Sequence, residues 1–172
     1  MTNKKLMKLI YASLFAALVY VGTTFISVTL PFGYFNFGDM FILISAWLIG
    51  GPYAIAAAAI GSALADITLG FAAYAPATLV IKALVCVIAW KACKLLAKKP
   101  APLGYAVAAA IAEAFMVLGY YIFEGFMYGF VAALASVPGI LLQATAAVVS
   151  SVLVITLLKS SGLFERANSR LK

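Results

Sequence analysis

The chain has 172 residues, of which 66% are hydrophobic and 10% are charged, and its formal net charge is +7. A soluble domain of this size buries only about 70% of its surface, and about one residue in four is charged. The composition therefore excludes a soluble globular domain and indicates a membrane protein. The absence of histidine excludes a Ser-His-Asp or Cys-His nucleophilic site and removes the commonest metal ligand.

Five apolar segments follow one another, and a helix needs about 20 apolar residues to cross a bilayer. The first runs to Leu30 and is longer than the apolar region of a signal peptide, about 7–15 residues, so we predict a retained membrane helix. The second, residues 40–65, is interrupted by Gly50-Gly51-Pro52, a strong helix breaker. The remaining three lie near residues 75–96, 103–123 and 138–158.

The basic residues decide between five and six membrane spans. They flank the apolar segments in three clusters, which indicates membrane topology rather than nucleic-acid binding. Five spans would place the middle cluster opposite the N-terminus, whereas six spans place all three on one side, the cytoplasm by the positive-inside rule. The clusters are Lys4/Lys5/Lys8, Lys91/Lys94/Lys98/Lys99 and Lys159/Arg166/Arg170/Lys172.

The predicted fold is therefore all-α: a polytopic membrane protein with a six-transmembrane-helix bundle in the cell membrane and both termini in the cytoplasm. We expect a single integral membrane domain over residues 1–172, with spans near 8–30, 38–50, 52–70, 75–97, 103–123 and 138–158.

The second span is short. A helix over residues 39–49 rises only about 16 Å, and the hydrocarbon core is about 30 Å thick. Either the preceding residues extend this helix, or the aromatic-rich loop at residues 31–38 covers its outer end. We predict an outer lid loop between the first and second helices.

Five charged residues lie outside the basic flanks, namely Asp39, Asp66, Lys82, Glu113 and Glu124. An ionisable group within a span costs several kcal/mol and suggests a functional role. The topology places Glu113 near the middle of the fifth span and the other four in the outer half. Structural roles are open as alternatives: Asp66 with Lys82 as a buried pair, Asp39 as a helix-start acid, and Glu124 as an interfacial residue in contact with water.

The fifth span carries a polar stripe, since Glu113, Met116, Tyr120 and Glu124 share one helical face. In the sixth span Gln143 lies near the outer end, where it could face a pocket or bond to a neighbouring helix. We predict an outward-facing pocket with aromatic walls that include Tyr34 and Tyr121. The predicted substrate-binding residues are Asn36, Asp39, Asp66, Tyr74, Lys82, Glu113, Tyr120 and Gln143; no catalytic or metal-binding residue is predicted.

Four acids against one lysine argue against a strongly anionic ligand, so a neutral or amine-bearing heterocycle fits better. In the first span Ala12 and Ala16 lie one turn apart, and small residues at this spacing let another helix approach closely. The stripe could pack inside the bundle or form a docking face for a second membrane protein.

Several short motifs together resemble the S-components, the substrate-binding subunits of energy-coupling factor (ECF) vitamin transporters, over nearly the whole chain. The motifs are Ala12-x-x-x-Ala16, the long outer loop, Phe37-Gly38-Asp39, Ala65-Asp66-Ile67-Thr68-Leu69-Gly70 and Ala75-Pro76-Ala77-Thr78 with Lys82. The resemblance implies a subunit without ATPase activity or a cofactor of its own. Its partners would be a transmembrane coupling subunit that docks on Ala12 and Ala16, and two ATPase subunits that use ATP. Residues 31–39 would be the lid.

The resemblance is closest to the hydroxymethylpyrimidine branch, with vitamin B6 and pantothenate transporters as neighbours. The tryptophan-rich pocket of the thiamine group is missing, because Trp47 and Trp90 are expected toward the cytoplasmic side. The acidic pocket favours an aminopyrimidine or B6 compound over anionic pantothenate. The main alternative is a stand-alone secondary transporter or channel subunit; a membrane enzyme is disfavoured, because histidine and a DxxD-type cluster are absent.

Overall fold

The computed structural model describes residues 3–29, 34–96 and 100–171, and nearly all of its regular structure is helical. The elements are α1 (Asn3–Thr24), β1 (Ser27–Thr29), β2 (Tyr34–Asn36), α2 (Gly38–Leu48), α3 (Gly51–Thr68), α4 (Ala75–Leu95), α5 (Ala101–Tyr128), α6 (Phe130–Ala133), α7 (Val137–Ser160) and α8 (Leu163–Leu171).

Within residues 3–29, 34–96 and 100–171, four helices are long and apolar enough to cross a membrane, namely Lys4–Thr24, Ala75–Leu95, Pro102–Tyr128 and Val137–Ser160. The prediction of an all-α membrane protein is therefore confirmed. Helix α2 has 11 residues and α3 has 18, so the count of six spans stays a prediction.

The predicted break in the second apolar segment lies between α2 and α3. Gly50 and Gly51 have φ values of 59° and 63°, a left-handed conformation that glycine adopts at little steric cost. A Cβ on Gly50 would overlap the indole of Trp90. Pro52 lies in the first turn of α3, where its missing amide donor costs no helical hydrogen bond.

The loop predicted as a lid contains only β2 of an antiparallel hairpin, in which Ser27 pairs with Asn36 and Val28 with Phe35; β1 falls within the predicted first span. Helix α1 therefore ends at Thr24, before the end predicted for the first span at residue 30, and the β-branched residues Val28 and Thr29 favour a strand. Residues 31–33 of the predicted lid lie outside the described residues. The Phe37 amide donates to the Gly22 carbonyl at 3.2 Å, which holds the start of α2 against α1.

Helix α2 lies inside the bundle, where it contacts α1, α3, α4 and α7. Ile42, Leu43 and Ala46 are fully buried, as expected of a helix that is apolar on all sides. Around it, α1 packs against α3, α3 against α4, α4 against α5, and α5 against α7. Neighbouring helices, rather than length, therefore stabilise this short element.

The alanine stripe of α1 faces the bundle. Ala12 is buried in a cluster with Ile44 and Ala57, and Ala16 is half-buried against it. This placement favours internal packing, because a buried methyl group offers no surface to a second protein. The docking role of Ala12 and Ala16 stays a prediction from the resemblance.

The bundle has two chemically different ends. At the cavity end, α1, α3 and α5 finish and α2, α4 and α7 begin. At the tryptophan end, Trp47 packs on Tyr105 and Trp90 lies against Gly50. The short helix α8 follows α7 at the tryptophan end, where Phe164 is buried in the core.

Candidate functional site

A cavity of about 290 Å³ opens at the cavity end between α1, α3, α4, α5, α7 and the hairpin. Six of the predicted site residues line it, namely Asn36, Asp66, Tyr74, Lys82, Tyr120 and Gln143. The structure adds Thr23, Ser62, Phe71, Thr78, Glu124, Tyr128, Gly139 and Ile140. Asp39 and Glu113 lie outside this lining.

Lys82 forms a buried ion pair with Asp39, with 2.5 Å between Nζ and Oδ1. The alternative in which Lys82 pairs with Asp66 is therefore wrong, because α2 inserts beside α4 and brings Asp39 to the lysine. Asp39 does lie in the first turn of α2, as the helix-start alternative expects. A buried charge is tolerated when it is paired and hydrogen-bonded, so Asp39 compensates the lysine charge.

Gln143 connects this ion pair to the hairpin. Its Nε2 donates to Asp39 Oδ2 at 2.5 Å, and its Oε1 accepts from Asn36 Nδ2 at 3.0 Å. Asn36 Oδ1 in turn accepts from the Gly38 amide at 2.9 Å. Gln143 thus both lines the cavity and bonds to a neighbouring helix, as its two interpretations proposed. The hairpin, α2, α4 and α7 are joined by one hydrogen-bonded chain.

The polar stripe of α5 faces the interior as predicted. Met116 Sδ lies 2.9 Å from Lys82 Nζ, and the Tyr120 ring centroid lies 5.4 Å from the same nitrogen, a cation–π contact. Glu113 is 1% exposed, and its carboxylate has no hydrogen-bond partner among residues 3–29, 34–96 and 100–171. It lies behind the cavity wall rather than in it.

Glu124 closes the other side of the cavity. Its carboxylate accepts hydrogen bonds from Ser136 and, at 3.3 Å, from the Tyr74 hydroxyl. Glu124 is 8% exposed and lines the cavity, and its contact with water at the membrane interface stays a prediction. Burial raises the pKa of Tyr74, and the neighbouring Tyr128 and Glu124 raise it further. Tyr74 therefore stays neutral and can donate to the carboxylate.

The aromatic walls differ in part from the prediction. Tyr121 packs against Phe130, with 5.8 Å between ring centroids, and does not line the cavity. The side chain of Tyr34 lies outside the described residues. Phe71 and Tyr128 are aromatic residues that line the cavity and were not predicted to do so. Phe71 comes shortly after the end of α3 and Tyr128 is the last residue of α5, and an aromatic residue at such a position in a membrane protein is most simply interpreted as an interfacial anchor.

Ser62 and Thr78 are further lining residues that sequence reasoning missed. Thr78 Oγ1 lies 3.0 Å from the Tyr120 hydroxyl. Ser62 precedes the predicted Asp66 by one helical turn, and this i, i+4 relation is the sequence signal that could have found it. In the described part of the chain, no cluster of three or more histidine, cysteine, aspartate or glutamate side chains could hold a metal ion.

A helical membrane bundle with a mixed polar and aromatic cavity at one end belongs to the class of proteins that bind or transport small molecules. Residues 3–160 match the model of the family described as ECF-type riboflavin transporter, S component. Because the match covers most of the chain, the protein belongs to this family of ECF transporter S-components. A search of curated proteins gives no match.

Family membership confirms several predictions at the class level. The protein is a multi-pass membrane protein and a substrate-binding subunit of an ECF transporter, a transporter family and not an enzyme family. S-components work with ECF membrane and ATPase modules and take a small-molecule vitamin. The hydroxymethylpyrimidine branch is a finer prediction, which the family match leaves open.

Proposed function

We propose that this S-component captures a one-ring nitrogen heterocycle, a hydroxymethylpyrimidine or vitamin B6 compound, and delivers it to an ATP-driven partner module. One observation carries the proposal: the aromatic-walled cavity of about 290 Å³ contains a lysine whose charge Asp39 already compensates. No cofactor is proposed on this chain, since the partner subunits would use the ATP.

Cavity size favours a small ligand. Sites for drug-sized molecules occupy about 300–1,000 Å³, and this cavity lies at the lower edge of that range. A single substituted pyrimidine or pyridine ring fits this space between Phe71, Tyr74 and Tyr120. Riboflavin, which the family description names, is the second candidate. Its three fused rings and ribityl chain need more room.

Charge disfavours an anionic vitamin such as pantothenate. Asp66 and Glu124 line the cavity, and Lys82 is the only basic residue among the lining side chains of the described chain. Because Asp39 lies 2.5 Å from Lys82, little positive charge remains to hold a carboxylate ligand. A neutral or amine-bearing ring suits this electrostatic environment better.

The positions of the charges support an inward direction of transport. Lys91, Lys94, Lys159 and Arg166 lie at the tryptophan end, so the positive-inside rule favours a cytoplasmic location for that end. The cavity would then face outward, with α2 and α3 as separate spans and both termini inside. The hairpin would serve as the lid, and its hydrogen bond from Asn36 to Gln143 ties it to the ligand site.

A binding panel tests the proposal. The purified protein would be titrated by calorimetry with 4-amino-5-hydroxymethyl-2-methylpyrimidine, pyridoxine, pyridoxamine, riboflavin and pantothenate. We expect binding of the pyrimidine or a B6 compound. Binding of riboflavin alone would establish the second candidate, and failure to bind any of these compounds would overturn the proposed capture of a vitamin.

A variant pair places the binding in the cavity. Gln143→Ala should weaken binding about tenfold or more, because it removes hydrogen bonds to a charged group and to the hairpin. Thr145→Ala is the control, since Thr145 is exposed on the same helix and bonds to its own helix at the Leu141 carbonyl. Equal affinities for the two variants would contradict the assigned site.

A further inference from the structure

Ser62 is a buried residue of α3 whose hydroxyl faces the cavity. It is 2% exposed, lines the cavity, and its Oγ has no hydrogen-bond partner among the residues that the structure describes. Serines within helices commonly bond to a carbonyl of their own helix. Ser45 and Ser151 do this here, bonding to the Ile42 and Val148 carbonyls. Ser62 instead keeps its hydroxyl available to the cavity.

The packing of α3 fixes the direction of this hydroxyl. A Cβ on the adjacent Gly61 would meet the Ala16 carbonyl and the Val19 side chain, so α3 and α1 approach closely here. Asp66 lies one turn further along the same face of α3 and also lines the cavity. This face therefore presents a hydroxyl, which can donate or accept, beside a carboxylate, which accepts.

Several other polar groups of the cavity already have partners. Gln143 and Lys82 bind Asp39, and Thr78 is paired with Tyr120. Glu124 accepts from Ser136 and Tyr74. An unused donor that is buried in a low-dielectric site is costly until a ligand supplies its acceptor. A bound molecule would therefore supply the hydrogen-bond partner of the Ser62 hydroxyl.

We propose that Ser62 and Asp66 form a subsite for the amino edge of an aminopyrimidine. The exocyclic amino group donates to the Asp66 carboxylate, and the adjacent ring nitrogen accepts from Ser62 Oγ. This inference rests on the proposed function and narrows it. A pyridine ring of the B6 type carries no amino group directly on the ring, so the subsite selects the aminopyrimidine class.

The test compares two ligands and two matched variants. The ligands are 4-amino-5-hydroxymethyl-2-methylpyrimidine and its analogue with a 4-oxo group in place of the amino group. The wild-type protein should prefer the amino compound by about tenfold or more. Ser62→Ala should weaken binding of the amino compound about tenfold and reduce the preference. Ser45→Ala is the control, because Ser45 is equally buried, bonds to Ile42 and does not line the cavity.

Further measurements distinguish a loss of ligand binding from a loss of folding. Thermal unfolding and size-exclusion profiles of both variants should match those of the wild type, and Ser62→Cys should give an intermediate affinity because a thiol is a weak donor. Equal affinity of Ser62→Ala and wild type for the amino compound would overturn the subsite and leave vitamin capture intact. Binding of riboflavin alone would overturn the subsite without removing the S-component role. Failure to bind any vitamin would overturn the proposed function itself.

Discussion

The two ends of the bundle use similar residues for different purposes. At the cavity end, Lys82 is buried against a carboxylate, and tyrosine side chains surround an open space. At the tryptophan end, Lys94 lies 4.2 Å from the Trp90 ring centroid, and Trp47 and Tyr105 pack with 4.7 Å between their centroids. Aromatic rings line a cavity at one end and fill the space at the other.

The two ends differ in whether their interactions serve binding or stability. Filling the tryptophan end removes apolar surface from solvent and needs no ligand. The cavity end keeps several polar groups and an unfilled volume inside the bundle, an arrangement that lowers stability until a ligand binds. Substitutions at the two ends should therefore separate stability from affinity.

The largest effect is expected from Lys82→Ala. It leaves Asp39 buried without its cation, which should reduce the free energy of unfolding by about 3–5 kcal/mol. Lys91→Ala is the control, because Lys91 is exposed. Thermal unfolding in detergent measures both variants. A similar midpoint for the two would show that the ion pair contributes little.

Gly50→Ala tests the tryptophan end. Gly50 has a left-handed φ of 59° and contacts the Trp90 indole. The substitution should therefore reduce the free energy of unfolding by about 2–3 kcal/mol, because it adds backbone strain and overpacking. Gly70→Ala introduces the same backbone strain, since Gly70 has a φ of 86°, but the added Cβ contacts no other atom. This substitution should reduce the free energy of unfolding by about 1 kcal/mol. If both variants unfold at the same temperature, the packing of Trp90 on Gly50 is unimportant.

Ala12→Leu tests whether the α1 stripe packs internally. Because Ala12 is 7% exposed, the larger side chain should reduce stability by about 1–2 kcal/mol. Ser13→Leu, on the exposed neighbouring position, should change stability by less than about 0.5 kcal/mol. Unchanged stability of Ala12→Leu, with loss of uptake in the assembled transporter, would support the docking role and not internal packing.

The smallest effect on binding is expected from Glu113→Gln. The side chain lies behind the cavity wall, so ligand affinity should change by less than about threefold, as for sites without direct contact. Calorimetry with the pyrimidine ligand measures the affinities of Glu113→Gln and Gln143→Ala side by side. A loss as large as that of Gln143→Ala would place Glu113 in the binding site, as the sequence first suggested.

The features that sequence predicts here depend on local chemistry. Gly50-Gly51-Pro52 breaks the helix because the two glycines permit a left-handed backbone and the proline lacks an amide donor. The members of the α5 stripe share one face because of helical periodicity. Pairing depends instead on which helices become neighbours. Lys82 binds Asp39 rather than Asp66 because the short α2 enters the bundle beside α4 and α7.

Two further features escaped prediction for physical reasons. The hairpin of Ser27–Thr29 with Tyr34–Asn36 forms in a segment too short for a clear alternating pattern. Ser62 lies among alanines and carries no charge, so its i, i+4 relation to Asp66 does not by itself separate a ligand-binding role from helix packing. Its importance depends on the missing hydrogen bond, which only three-dimensional coordinates reveal.

Hydrogen–deuterium exchange with and without 4-amino-5-hydroxymethyl-2-methylpyrimidine tests the assignment of the ligand to the cavity end most directly. We expect the ligand to slow exchange in peptides covering residues 34–39, 62–78 and 136–143, which form the cavity wall and the hairpin. Peptides covering residues 47–53 and 90–95, at the tryptophan end, should exchange unchanged. Slower exchange confined to the tryptophan end would contradict the account.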